Sequence, residues 1–195
     1  NKELESRLKK FCQTPRIELE TKTTPLFLNS RNDFTYYLEK HAHPSLRGFY
    51  EEQRRKFKVL MEPNGEPFGG QYNFSGEAHL KWSHADGAPK VPISVHDELD
   101  KKVIQLVDRE FANHPGEAMT SWYPTTREAA EAALADFCKY RLPEYGPYEE
   151  TLSPEQDFLF HSALAPLMNV GLLTPDDVLN TVLEYSKENP VSLNS

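Results

Sequence analysis

One short segment constrains the architecture more than any other. Arg16-Ile17-Glu18-Leu19-Glu20 alternates charged and apolar side chains with the period of a strand, whereas nearly every other patterned stretch has helical spacing. A lone strand leaves its ladder N–H and C=O groups unpaired and its apolar side, Ile17 and Leu19, uncovered. Two readings stand. Either the partner strands lie elsewhere in a larger polypeptide or in a second copy, or this is a short extended segment packed on helices. The first reading makes the sequence begin inside a domain, and the missing initiator Met points the same way.

The helical signals are local and chemical. Leu4, Leu8, Phe11 and Cys12 share one face of an opening helix. Ser30-Arg31-Asn32-Asp33 has the form of a capping box ahead of Phe34, Tyr37 and Leu38, and Pro44 closes that helix by restricting its neighbour. A second helix is expected from about Ser45 to Met61, with Leu46, Phe49, Tyr50, Phe57 and Leu60 as its apolar face and Arg54, Arg55, Lys56 and Lys58 as a basic run. From Glu62 to about Ser94 glycines and prolines recur without periodicity, which reads as a long connection. Helices resume at Asp97 to Phe111 and at Thr125 to Tyr140, where Thr125 and Glu128 can cap reciprocally. Ser153-Pro154-Glu155-Gln156 and Thr174-Pro175-Asp176-Asp177 are two further start signals, predicting two consecutive helices joined around Gly171.

Charge and cysteine usage exclude several function classes. A net charge of −8 opposes coating of nucleic acid by bulk electrostatics, although local basic patches are compatible with it. Cys12 and Cys138 are far apart and outside any C-x-x-C, so no disulfide framework or cysteine-rich metal site can be built from them. A reducing cytoplasm fits this usage. No segment approaches the length of a membrane span.

Few constellations carry chemistry on their own. His41-x-His43 lacks a third ligand at a characteristic spacing and reads as a surface or capping pair, so no metal ligand is assigned. No Ser stands in a nucleophile elbow, and Asp176 and Asp177 suit the first turn of a helix, so no catalytic residue is assigned. The run Arg54 to Lys58 reads first as solvated surface and second as a phosphate contact. Phe158 to Pro166 sets His161 and Ser162 among apolar neighbours. Read from the residues, it is core with a satisfied His and Ser, and the alternative is a ligand-facing turn whose N–H and hydroxyl groups hold phosphate.

Several of these stretches together resemble one family. Phe49-Tyr50-Glu51-Glu52-Gln53-Arg54-Arg55, Val59-Leu60-Met61 and Pro67-Phe68-Gly69-Gly70-Gln71-Tyr72-Asn73-Phe74 resemble signature segments of the photolyase/cryptochrome-related flavoproteins, in their bacterial (6-4) photolyase branch. Leu142-Pro143-Glu144-Tyr145-Gly146-Pro147-Tyr148, Phe158 to Pro166 and Asn169-Val170-Gly171-Leu172-Leu173 follow in the same order and spacing.

The resemblance implies a mainly α chain cut from a larger protein. Residues 1–28 would be the end of an α/β antenna domain, 29–96 interdomain helices and a long loop, and 97–195 the start of the helical FAD-binding domain. It implies that His161, Ser162 and Leu164 touch the flavin phosphates, as the "TSxLSP" loop does in the wider superfamily, and that Tyr148 lies near the cofactor. Ala165 departs from the second Ser of that loop, and Gln71-Tyr72 and Phe74-Ser75-Gly76-Glu77 depart from the family's "RWNFDAEN". The redox chain, the lesion pocket and the iron–sulfur ligands would lie beyond residue 195.

On this reading the parent is a DNA photolyase whose reduced FAD passes an electron to an ultraviolet-induced pyrimidine lesion, a (6-4) photoproduct, in damaged DNA. The isolated piece would be inactive, and a dimer through its orphan strand is conceivable. The rivals are a cryptochrome-like blue-light signalling flavoprotein without repair, and a stand-alone helical interaction module.

Overall fold

The computed structural model describes residues 2–13, 17–74, 80–83, 87–90 and 95–195. They are mainly helical: α1 (Lys2–Cys12), α2 (Arg31–Lys40), α3 (Leu46–Phe57), α4 (Glu98–Glu110), α5 (Arg127–Tyr140), α6 (Leu142–Tyr148), α7 (Ala165–Asn169) and α8 (Pro175–Glu188). No strand ladder forms among the described residues. Arg16 lies outside them, and residues 17–24 are unpaired and exposed, with Ile17 and Leu19 49% and 41% accessible. Nothing among the described residues completes a sheet with this segment, and the dimer through it gains no support.

The helix starts follow the capping chemistry. Ser30 accepts from the Asp33 N–H while the Asp33 carboxylate accepts from the Ser30 N–H, a reciprocal pair that satisfies donors no intrahelical partner can reach. Thr174 and Asp177 repeat it at α8, and Asp97 with Asp100 at α4. At α5 the cap is Thr126, whose hydroxyl accepts from the Ala129 N–H, and not Thr125. Thr125 Oγ1 instead donates to Asp100 Oδ2 at 3.1 Å, so a tertiary bond moved the helix start by one residue.

Two of these caps carry a pH signature. The Lys56 ammonium, then the Ser30 N–H and hydroxyl, lower the Asp33 pKa from 3.8 to about 2. Arg127, then Thr174, lower that of Asp177 from 3.8 to about 2. A depressed folded-state pKa adds stability that is present above the unfolded value and lost as pH falls through the folded one. We therefore expect the stability of the Asp33→Asn and Asp177→Asn variants to depend less steeply on pH between about 4 and about 2 than that of the parent. Thermal unfolding across that window, with NMR titration of both carboxyls, checks this, and an ordinary carboxyl pKa at both sites would contradict it.

The main core sits where α5 packs on α6 and α8. Ala130, Leu134, Phe137 and Cys138 of α5 recur at i, i+4, i+7 and i+8, so they form one stripe. Against it lie Leu142, Leu164, Leu167 and Leu173, with Val178, Val182 and Tyr185 of α8 closing the side. Burying each large apolar side chain contributes about 1.5–3 kcal/mol before entropy is counted. α4 contributes little to this core: Ile104 is buried, but Leu99 and Val103 are 68% and 49% exposed.

α3 ends four residues earlier than its sequence pattern, at Phe57, because Lys58 turns left-handed at φ 55° and Leu60 follows at φ 48°. These two residues reverse the chain so that Met61 bridges Pro67 and the Phe68 N–H donates to Leu60 O at 2.8 Å. α2 and α3 pack through Phe34 and Tyr37 against the Phe49 ring, each with centroids 5.2 Å apart. Tyr37 Oη accepts from Ser45 N–H and donates to Ser45 O, tying the turn between them.

The start signal at Ser153 is not used as a helix. Ser153 Oγ accepts from Glu155 N–H in a turn, and the chain stays irregular to Leu164. The reason is three consecutive apolar side chains, which one helix face cannot bury together. Phe158 packs edge-on against Trp122 at 4.6 Å, while Leu159 and Phe160 join Tyr148 in a second core cluster. Only the five-residue α7 follows before Gly171, at φ 80°, leads into α8.

Candidate functional site

The four residues singled out by resemblance come together at the second cluster and its border with the main core. Tyr148, the last residue of α6, is 8% exposed and stacks on Phe160 with centroids 4.9 Å apart and planes 25° off parallel. Trp82 and Ala88 from the long connection pack on this pair. The connection is tied down beside them. Leu80 N–H donates to Pro147 O at 3.1 Å, and Thr151 Oγ1 donates to Leu80 O at 2.7 Å.

His161 is half-buried, with Nε2 3.4 Å from Thr151 O. Leu164, 2% exposed, belongs to the main core. Between them the backbone bends sharply: Leu159 and Ala163 sit at φ 43° and 57°, a region that costs a side-chain-bearing residue about 1–3 kcal/mol unless its surroundings hold it. Leu159 is itself buried and precedes buried Phe160, and Ala163 precedes buried Leu164, so packing holds the chain at both bends. The bend leaves the N–H groups of Ser162 and Ala163 and the Ser162 hydroxyl without an acceptor among the described residues. Adjacent free donors in a half-buried turn suit an anionic oxygen, so the donor set fits a phosphate group.

One residue of the basic run departs from its sequence reading, and a second buried arginine had no sequence reading at all. Arg54 is no part of a solvated basic run: at 6% exposure it donates from Nε to Val59 O (3.1 Å), from Nη1 to Tyr72 O (2.9 Å) and from Nη2 to Leu60 O (2.6 Å). The Tyr72 ring centroid lies 5.3 Å from the guanidinium carbon of Arg54 and 4.6 Å from that of Arg55. Lys56 is spent on Asp33 at 2.7 Å. A signal was present, since Arg54 continues the i, i+4 row of Leu46 and Tyr50 and is followed three residues later by Phe57, on the apolar side of α3. Arg141 carried no such signal. It is 1% exposed, reaches Asp136 Oδ2 at 3.4 Å, and keeps Nε and Nη1 unpartnered among the described residues. Burial pulls its pKa below the usual guanidinium value.

The remaining candidates are structural. His41 caps α2 and pairs with Glu52 Oε1 at 2.8 Å, and the bond from His41 holds the Glu52 pKa down. Among the described residues no group of three or more His, Cys, Asp or Glu is placed to hold a metal ion. No described helix is long and apolar enough to cross a membrane.

Residues 1–123 match the sequence model of the deoxyribodipyrimidine photo-lyase-related proteins. The chain belongs to this family. Over 191 residues, 97% of the chain, it is 30% identical to a (6-4) photolyase of Agrobacterium fabrum (strain C58), of which it covers 37%. A stretch of 43 residues, 22% of the chain, is 42% identical to an uncharacterized protein of Acanthamoeba polyphaga mimivirus. The photolyase-related chain thus spans little more than a third of the length of its bacterial relative. Its Arg54 clamp and the Pro67 to Phe74 turn fall inside the family-matched region, whereas Tyr148 to Leu164 lie after it.

Proposed function

We propose that this chain is part of a light-dependent, FAD-containing DNA photolyase, and that Tyr148, His161, Ser162 and Leu164 form one wall of its flavin site. Family membership and the similarity to a (6-4) photolyase support the reading. The observation that carries the site is the bend at Ala163, which leaves two N–H groups and the Ser162 hydroxyl without acceptors among the described residues. Bound reduced flavin would supply the light-driven electron for a pyrimidine lesion such as a (6-4) photoproduct.

In this proposal Ser162 and the Ser162 and Ala163 N–H groups hold a flavin phosphate. Leu164 anchors the turn in the core, and Tyr148 with Phe160 keeps water from one side. Residues 1–28 end an antenna domain, 29–96 connect, and 97–195 begin the flavin domain. The net charge of −8 opposes binding of damaged DNA through bulk electrostatics of this part of the protein. Both cysteines are free thiols, in keeping with a reducing cytoplasm.

The test uses the full-length parent protein. Removing one hydrogen bond to a charged group costs about 1.5–3 kcal/mol, so Ser162→Ala should weaken FAD binding about tenfold or more, read by equilibrium dialysis and flavin absorbance. An unchanged FAD affinity in this variant would return Ser162 to the role of an ordinary core-edge serine. The 195-residue chain alone should show no lesion repair.

A further inference from the structure

We propose that Leu193, Asn194 and Ser195 act as a clip that locks α6 onto the Phe68–Phe74 turn, and that this clip positions Tyr148; the functional half of the inference rests on the flavin reading above. The two seats of the clip are glycines. A Cβ built on Gly146, a buried residue of α6, would collide with the Asn194 carbonyl and lie 2.6 Å from the Ser195 backbone nitrogen, so Asn194 and Ser195 pass α6 at a separation only glycine allows. There the Gly146 N–H donates to Ser195 Oγ at 3.0 Å, and the Ser195 N–H closes a turn on Ser192 O. At the other seat, a Cβ on Gly69 would lie 2.5 Å from Leu193 Cδ1 and 2.7 Å from Phe74 Cζ, so the Leu193 side chain occupies the space that glycine leaves.

Each seat is held by something already described. The Pro67 to Phe74 turn is fastened to α3 by Arg54, which binds Tyr72 O and Leu60 O. Gly146 lies two residues before Tyr148 on the same short helix, and Tyr148 stacks on Phe160, the residue before His161 and Ser162. The contacts therefore run without a gap from the buried guanidinium through the turn, Leu193, Asn194 and Gly146 to the candidate flavin residues. Pro147 forbids an ordinary hydrogen bond inside α6, so this helix is poorly held by its own backbone and depends on such outside contacts.

The sign of one substitution separates the clip from general helix stability. In a helix interior alanine is favoured over glycine by about 1 kcal/mol. The clip predicts the reverse at position 146. In the full-length parent protein, Gly146→Ala should weaken FAD binding at least about fivefold. Leu193→Ala, which empties the Gly69 seat without strain, should act in the same direction. Because both variants release the same clip, the double variant should bind FAD about as weakly as the worse single one, whereas independent defects would multiply. Val178→Ala, a main-core residue of α8 that makes none of the clip contacts, should lower Tm and leave the FAD affinity of the folded protein unchanged.

If Ser162→Ala weakens FAD but neither Gly146→Ala nor Leu193→Ala does, the clip is overturned and the flavin site stands. If none of the three changes FAD affinity, the flavin reading fails with it. Should Gly146→Ala not fold, Leu193→Ala and its comparison with Val178→Ala still decide the matter.

Discussion

Replacing Arg54 by Met should cost about 3–5 kcal/mol of folding stability, a large share of the 5–15 kcal/mol that holds a typical domain together. Arg54 is 6% exposed and its guanidinium bonds three backbone carbonyls, those of Val59, Leu60 and Tyr72. Met fills similar volume but donates nothing, so the Val59 and Tyr72 carbonyls lose this partner while Leu60 O keeps the Phe68 N–H, and each group left unsatisfied costs about 1–3 kcal/mol. The left-handed Lys58 and Leu60 should relax once the carbonyls are released. Lys at this position should recover part of the loss, because an ammonium can reach one or two of the carbonyls but cannot present the planar fork. Urea denaturation of the three proteins, with amide exchange over residues 58–74, measures both effects. A loss below about 1 kcal/mol for Arg54→Met would mean that water replaces the guanidinium, and Arg54 would revert to an ordinary surface cation.

Leu164→Ala should destabilise the flavin-free 195-residue chain by about 2–5 kcal/mol, the range for emptying a buried leucine site. Leu164 is 2% exposed and packs with Leu142, Leu167 and Leu173. It also closes the bend that follows Ala163, so the cavity would form where the backbone is already strained, and relaxation there would move Ser162. Chemical denaturation gives the stability, and the FAD affinity of the folded full-length variant separates anchoring from direct contact. A loss of stability with intact affinity in the folded state assigns Leu164 to the core alone. Destabilisation below about 1 kcal/mol would show that the packing described for it is wrong.

Local chemistry was legible in the sequence where it acts over three or four residues. The Ser30 and Thr174 capping boxes and the α4 start at Asp97 all form as their patterns indicate. The family signature was legible too, because it consists of ordered residue identities. The Ser153 start signal failed for a physical reason: a cap is worth about 1 kcal/mol, while burying Leu159 and Phe160 beside Tyr148 is worth several. Thr125 lost its cap to Thr126 in the same way, through a bond to a carboxylate 25 residues away.

The sequence by itself determined the helical character, most helix starts and the family. Only the tertiary structure decided that Arg54 is an internal clamp, that Tyr148 is roofed by Trp82, and that Gly69 and Gly146 are seats for residues 193–195. The division follows from range. Caps and periodicity are set by neighbours a turn away, whereas burial and close backbone approach are set by partners tens of residues distant, and a charged side chain or a glycine reads the same on a surface as inside until its partner is placed.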